Sequence, residues 1–161
     1  MNSIIKKTNA EKLNTIIYVA AISLLTSLSA SNNSLRVGNT GPDSSVFNYM
    51  ARVILNGGMP YRDSFDHKGP LIYLIDALGL LIDQQNGVWI IELISVFCIL
   101  FYSFKIAKLL GCGKKSSLVT VATTALGLVY YFDAGNLTEE YACVFIILSL
   151  YVFLNFFLRS N

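Results

Sequence analysis

Charge is what this sequence has least of. Asp, Glu, Lys and Arg make up 14% of its 161 residues, and the formal net charge is only +2. No basic stripe runs along the chain, so nothing provides the clustered Lys and Arg that nucleic acid demands, and a nucleic-acid partner is excluded. Cysteine is scarce too: Cys98, Cys112 and Cys143 are a scattered, odd-numbered set, two in apolar segments and one in a short basic loop. They supply neither the pairing of a disulfide framework nor the spacing of a zinc site. Internal repeats and low-complexity segments are absent as well.

Apolar residues fill the space that charge leaves, at 54% of the chain and a mean hydropathy of +0.56. Their distribution separates two classes that composition alone leaves open, a soluble domain with a large core and a small membrane protein. Soluble amphipathic helices interrupt their apolar face with charges every turn or so, whereas residues 13–30, 117–132 and 141–158 carry none. Uncharged runs of roughly 17–25 residues can cross a hydrocarbon core. The reading is therefore an all-α, polytopic membrane protein with four transmembrane helices at about 13–30, 88–110, 117–132 and 141–158, as one module over 1–161.

Charge bias orients it. Lys6, Lys7 and Lys12 place a short polar tail, residues 1–12, in the cytoplasm, and the first helix runs outward as an uncleaved anchor, being longer than a secretory signal core. An outer loop over 31–87 follows. Within it, Asp43 as N-cap and Gly57–Gly58 as stop bracket a short amphipathic helix, with Val46, Met50, Val53 and Ile54 on its apolar face and Ser45, Asn48 and Arg52 on the other. Residues 70–82 form an apolar helix reaching roughly 20 Å, short of the roughly 30 Å core. If that helix does not cross, the span at 88–110 runs inward and delivers Lys105, Lys108, Lys114 and Lys115 to the cytoplasm, as basic residues prefer. It is thus read as interfacial or re-entrant. By parity 133–140 is a second outer loop, where Asn136 with Glu139 forms a capping box for the last helix. Asp76 and Glu92 are the acids at membrane depth, and each either faces a polar cavity or snorkels to the interface.

One stretch breaks the apolar pattern. Residues 60–71, PYRDSFDHKGPL, set Arg62, His67 and Lys68 among Asp63 and Asp66. A solvated loop and an anion-binding site both fit such a run. In the second reading Arg62, His67 and Lys68 hold an anionic group and Asp43 is the candidate general base. Each has a plainer alternative: Asp43 as helix cap, Arg62–Asp63 as a surface ion pair, Asp66 orienting Lys68. Asp66 and His67 are also weak candidate ligands for a divalent metal ion, the one cofactor considered. Glu139 and Glu140 open a helix, where acids are favoured for dipole reasons alone. On this topology Asp43, the 62–68 cluster, Glu139 and Glu140 share the outer face.

PDSS after the first helix, ARVILNGGMPYRD, FDHKGPLIYLI and GNLTEEYA, taken in that order, resemble the bacterial GT-C membrane glycosyltransferases. The branch they resemble is that of the protein O-mannosyltransferases and the lipid A aminoarabinose transferase. The resemblance covers nearly the whole chain; FDHKGPL is its most specific part. It implies transfer of a sugar, with inversion, from a polyprenyl-phosphate donor to an acceptor hydroxyl at the outer face of the cell membrane. Asp43 falls on the family's first-loop acid, the base or acceptor-orienting residue. Asp66 and Lys68 fall where contact with donor phosphate or metal is expected, and Glu139 or Glu140 on the acid of the second outer loop. Family members continue into further membrane helices and a terminal outer domain. The implied role is thus an amino-terminal module acting with the rest of a split glycosyltransferase, or else a non-catalytic subunit binding lipid-linked sugar.

Overall fold

The computed structural model describes residues 2–29, 41–131 and 135–159, with side chains from residue 9 onward. The polar loop expected over 31–40 and Asp133 lie outside the described residues. Those described are all-helical: α1 (Asn2–Leu28), α2 (Pro42–Leu55), α3 (Pro70–Ile82), α4 (Gly87–Leu109), α5 (Lys114–Tyr131) and α6 (Thr138–Arg159). Two of them, α4 and α6, are long and apolar enough to cross a membrane, and α3 is apolar but short.

The polar tail expected over residues 1–12 is instead the beginning of α1, helical from Asn2. Its Lys, Ala and Glu are strong helix formers, and neither Gly nor Pro interrupts them, so polarity alone does not end the helix.

Side-chain ties set the helix directions. The Trp89 indole N–H donates to the Ser27 carbonyl at 3.1 Å, which joins the end of α1 to the start of α4 and makes them antiparallel. Tyr141 clusters with Ile91, and ten to eleven residues on the Tyr102 and Tyr151 rings meet at 5.2 Å, so α4 and α6 run parallel. Val19, Val96, Leu100, Val121 and Ala125 bring α1, α4 and α5 together in one core. Hydroxyls inside this bundle bond to their own helices, Ser23 to the Val19 carbonyl at 2.8 Å and Ser103 to that of Ile99 at 2.9 Å. Their polarity is thereby satisfied without a partner helix, which leaves small side chains at the contacts. Much of α6 faces outward, with Phe145, Ile146, Leu150, Val152, Phe153 and Phe156 exposed.

The pair α2–α3 closes the end where α1 finishes and α4 and α6 begin. Phe47 and Met50 of α2, Ile72 and Tyr73 of α3 and Tyr141 of α6 form one buried cluster, and Ala51, Ala77, Leu80 and Val88 form the next. The α3–α4 turn is tight because Asp83 Oδ1 accepts the backbone N–H of Gln85 at 3.0 Å and that of Asn86. Gly79 and Gly87 meet there backbone to backbone; a Cβ on Gly79 would lie 2.7 Å from the Val88 nitrogen. Only glycine permits that approach.

The α2 face differs from the one the sequence suggests. Ser44, Phe47, Met50 and Ala51 are buried, while Val46 is 41% exposed. Phe47 offers more apolar surface than Val46, and Ser44 has a buried partner to bond. Together they turn the helix by about one residue from the expected face.

Candidate functional site

The polar stretch after α2 is a built loop. Gly57, at φ 80°, ends α2 in the left-handed region, and the Gly58 N–H returns to the Val53 carbonyl at 2.9 Å. Asp63 then organises the turn: its Oδ2 accepts the Met59 N–H at 2.7 Å, and its two oxygens take the Arg62 guanidinium at 2.8 and 2.6 Å. The Arg62 fork, then the Met59 N–H, hold the Asp63 carboxyl down at about 2. Arg62 thus meets a neighbouring carboxylate and joins neither His67 nor Lys68, as the surface-pair reading had it.

Beyond the turn, Asp66 and Lys68 face the bundle. Asp66 Oδ2 accepts the Tyr73 hydroxyl at 2.8 Å, and Oδ1 accepts the His67 backbone N–H at 2.8 Å. Burial disfavours the Asp66 charge, but these two bonds outweigh it and keep the carboxyl below its ordinary range. Tyr73, buried and donating to a carboxylate, is pushed well above the usual phenol range. His67 remains outside; its side chain is 80% exposed, with Nδ1 3.1 Å from Asp66 Oδ1. Lys68 Nζ lies 3.4 Å from both Thr138 Oγ1 and Glu139 Oε1, across about seventy residues of sequence. Two loops that the topology put on one side are therefore in contact.

Behind this shelf lies a polar knot that the sequence reading did not assemble. Asn136 Nδ2 donates to Ser44 Oγ at 2.9 Å and to Asp76 Oδ2 at 3.0 Å, while Asn136 Oδ1 accepts the Tyr141 hydroxyl at 2.9 Å. All four residues are buried. Asn136 holds a left-handed φ of 57°, which Asn tolerates better than most residues. Its side chain is committed to the knot, so the expected capping box with Glu139 does not form. Glu139 instead accepts the Thr138 hydroxyl at 2.7 Å. Glu140 is buried beside the knot, next in sequence to Tyr141. Asp76 and Glu92 are 0% and 2% exposed, so neither snorkels to an interface; both are enclosed by protein. Asp76 Oδ1 and Glu140 Oε2 have no hydrogen-bond partner among the described residues.

Asp43 lies in the first turn of α2 but is not its cap. Gly41 occupies that position, Pro42 follows, and no side chain caps the helix. The Pro-first start replaces the cap, since proline's missing N–H is one a helix start leaves unused. Asp43 is exposed and directly precedes the buried Ser44 in α2. Of the residues singled out from sequence, Asp66, Lys68 and Glu139 come together on the shelf with the exposed His67 ring against Asp66, Glu140 is buried beside the knot, Asp43 is exposed in the first turn of α2, and Arg62 pairs with Asp63. Among the described residues no group of three or more His, Cys, Asp or Glu side chains could hold a metal ion. Asp66 and His67 alone are too few ligands for a dedicated cation site.

Ser44, Tyr73 and Tyr141 escaped sequence reasoning, and Asn136 was read only as a helix cap. Tyr and Ser at apolar-face positions read as core, and only the left-handed Asn136 between two helices carried a local signal. No known family, no curated protein and no solved structure matches the chain.

Proposed function

We propose that this chain is the amino-terminal membrane module of a glycosyltransferase that moves a sugar from a polyprenyl-phosphate donor to an acceptor hydroxyl at the outer membrane face. In this reading α1, α4, α5 and α6 span the cell membrane, the amino terminus is cytoplasmic, and α2, α3 and the two loops form an outer cap. The antiparallel α1–α4 tie and the parallel α4–α6 packing support that arrangement. The observation that carries the functional reading is the meeting of Lys68 with Thr138 and Glu139, two residues from the Asn136 that bonds Ser44 of α2.

That junction gathers the starts of α2, α3 and α6. Helix starts favour anions, and Lys68 adds a full cation next to two of them. Its 3.4 Å contact with a Glu139 whose side chain is 61% exposed is loose enough for a donor phosphate to displace. The Asp66–Tyr73 bond fixes the loop that carries Lys68. Asp43, exposed in the first turn of α2, takes the acceptor proton as the sugar moves, and the departing polyprenyl phosphate needs a cation rather than a general acid.

The test is transfer of labelled sugar from polyprenyl phosphate by membranes holding the chain with whatever partner completes it. Asp43→Asn should abolish transfer at unchanged expression, and Lys68→Gln should weaken donor binding about tenfold, the loss of one charge-assisted contact. Wild-type turnover by the Asp43 variant removes the proposed base. Donor binding without transfer in every assembly would instead favour the non-catalytic, lipid-linked-sugar-binding subunit.

A further inference from the structure

At the opposite end of the bundle, four helices enclose an open cavity of about 740 Å³. Lys12 of α1, Lys105 and Lys108 of α4, Lys114 of α5 and Arg159 of α6 line it, with Glu11 as the one acid on the wall. The lining is also apolar: Ile16, Phe101 and Phe104 come from positions further into α1 and α4 than Lys12 and Lys105 respectively, and Leu109 from the end of α4. Helix-end electrostatics accounts for part of this. Lys108 and Arg159 lie in last turns, where cations are favoured, and Lys108 Nζ donates to the Cys112 carbonyl at 3.0 Å. Lys114 is different: it is the first residue of α5, where the dipole disfavours a cation. Lys105, 5.6 Å from the Tyr151 ring centre, and Lys12 lie in the last turn of neither helix. Five cations against one acid, above an aromatic and aliphatic wall, complement a ligand with a phosphate at one end and hydrocarbon at the other.

We infer that this cavity binds an anionic glycerophospholipid, its phosphate among Lys12, Lys105, Lys108, Lys114 and Arg159 and an acyl chain along Phe101 and Phe104. The inference rests on the membrane reading of α4 and α6 and not on sugar transfer. On the proposed orientation the lipid belongs to the cytoplasmic leaflet, away from the donor junction.

Native mass spectrometry of the purified full chain in detergent, titrated with short-chain phosphatidylglycerol or phosphatidylcholine, tests it. Each cation near an anionic headgroup is worth roughly fivefold in affinity. Phosphatidylglycerol should bind at least tenfold more tightly than phosphatidylcholine, and Lys105→Gln/Lys108→Gln should weaken it about 25-fold. Lys115→Gln, off the cavity wall, should change nothing. If the double variant does not stay monodisperse, Lys12→Gln/Arg159→Gln carries the same expectation. Equal affinity for the two lipids, an unchanged affinity in the variant pair, or competition by inorganic phosphate at equal concentration would overturn the assignment. A wild-type chain that supports sugar transfer but binds the two lipids equally would remove this site alone, and one that prefers phosphatidylglycerol but supports no transfer would remove only the proposed activity.

Discussion

Asn136 ties the α2–α3 cap to the start of α6. Its side chain makes three buried hydrogen bonds, to Ser44, Asp76 and Tyr141, that tie α2, α3 and the start of α6 together. Asp76 Oδ1 already has no partner among the described residues, so removing Asn136 takes away the one hydrogen bond that carboxyl accepts from them. A neutral buried bond contributes roughly 1 kcal/mol and one to a carboxylate roughly 1.5, so Asn136→Gly should cost about 3–4 kcal/mol. Glycine keeps the left-handed φ of 57° free of strain, which isolates the side-chain loss. Asn136→Ala should cost roughly 1 kcal/mol more, the penalty of a Cβ in that conformation. Tyr141→Phe, removing one bond, should cost only about 1 kcal/mol. The assay is reversible unfolding in mixed micelles followed by fluorescence of Trp89, the single tryptophan, which is bonded to Ser27 across the α1–α4 contact. A loss below about 1 kcal/mol for the glycine variant would refute the view that the knot holds the cap.

Two further outcomes follow from the loop and the helix directions. Because Asp66 is held below its ordinary range, its contribution to stability is complete above the unfolded carboxyl value, near pH 3.9, and is lost as pH falls through the folded value. Tyr73→Phe removes one of its donors, so the stability gap between wild type and variant should be present at pH 6 and narrow below about pH 3.9; a gap constant across that range would show that Tyr73 acts through packing alone. Cys112, in the turn between α4 and α5, should resist a membrane-impermeant thiol reagent on whole cells and react after permeabilisation. Ready labelling of intact cells would reverse the proposed orientation.

Helix existence was written in the sequence because it depends on local quantities. Runs without charge, Pro70 at the first position of α3, and the glycines after α2 fixed five of the six described helices to within about three residues, α3 at both ends. The parity argument also brought distant loops to one side, and Lys68 does reach Glu139. What failed depended on partners. Asp43 and Asn136 each carried a local capping signal, yet Pro42 took over one helix start and the buried Ser44, Asp76 and Tyr141 claimed the Asn136 side chain. A cap contributes about 1 kcal/mol and three buried bonds contribute more, so the tertiary demand prevailed. The α2 face turned for the same reason, towards Phe47 and the α3 surface that buries it. Composition and charge order thus determined an all-helical, apolar chain with its polar loops at one end. Only packing decided which acids are enclosed, which cations stand apart, and that five basic side chains from four helices share one cavity, because those depend on distances between residues far apart in the chain.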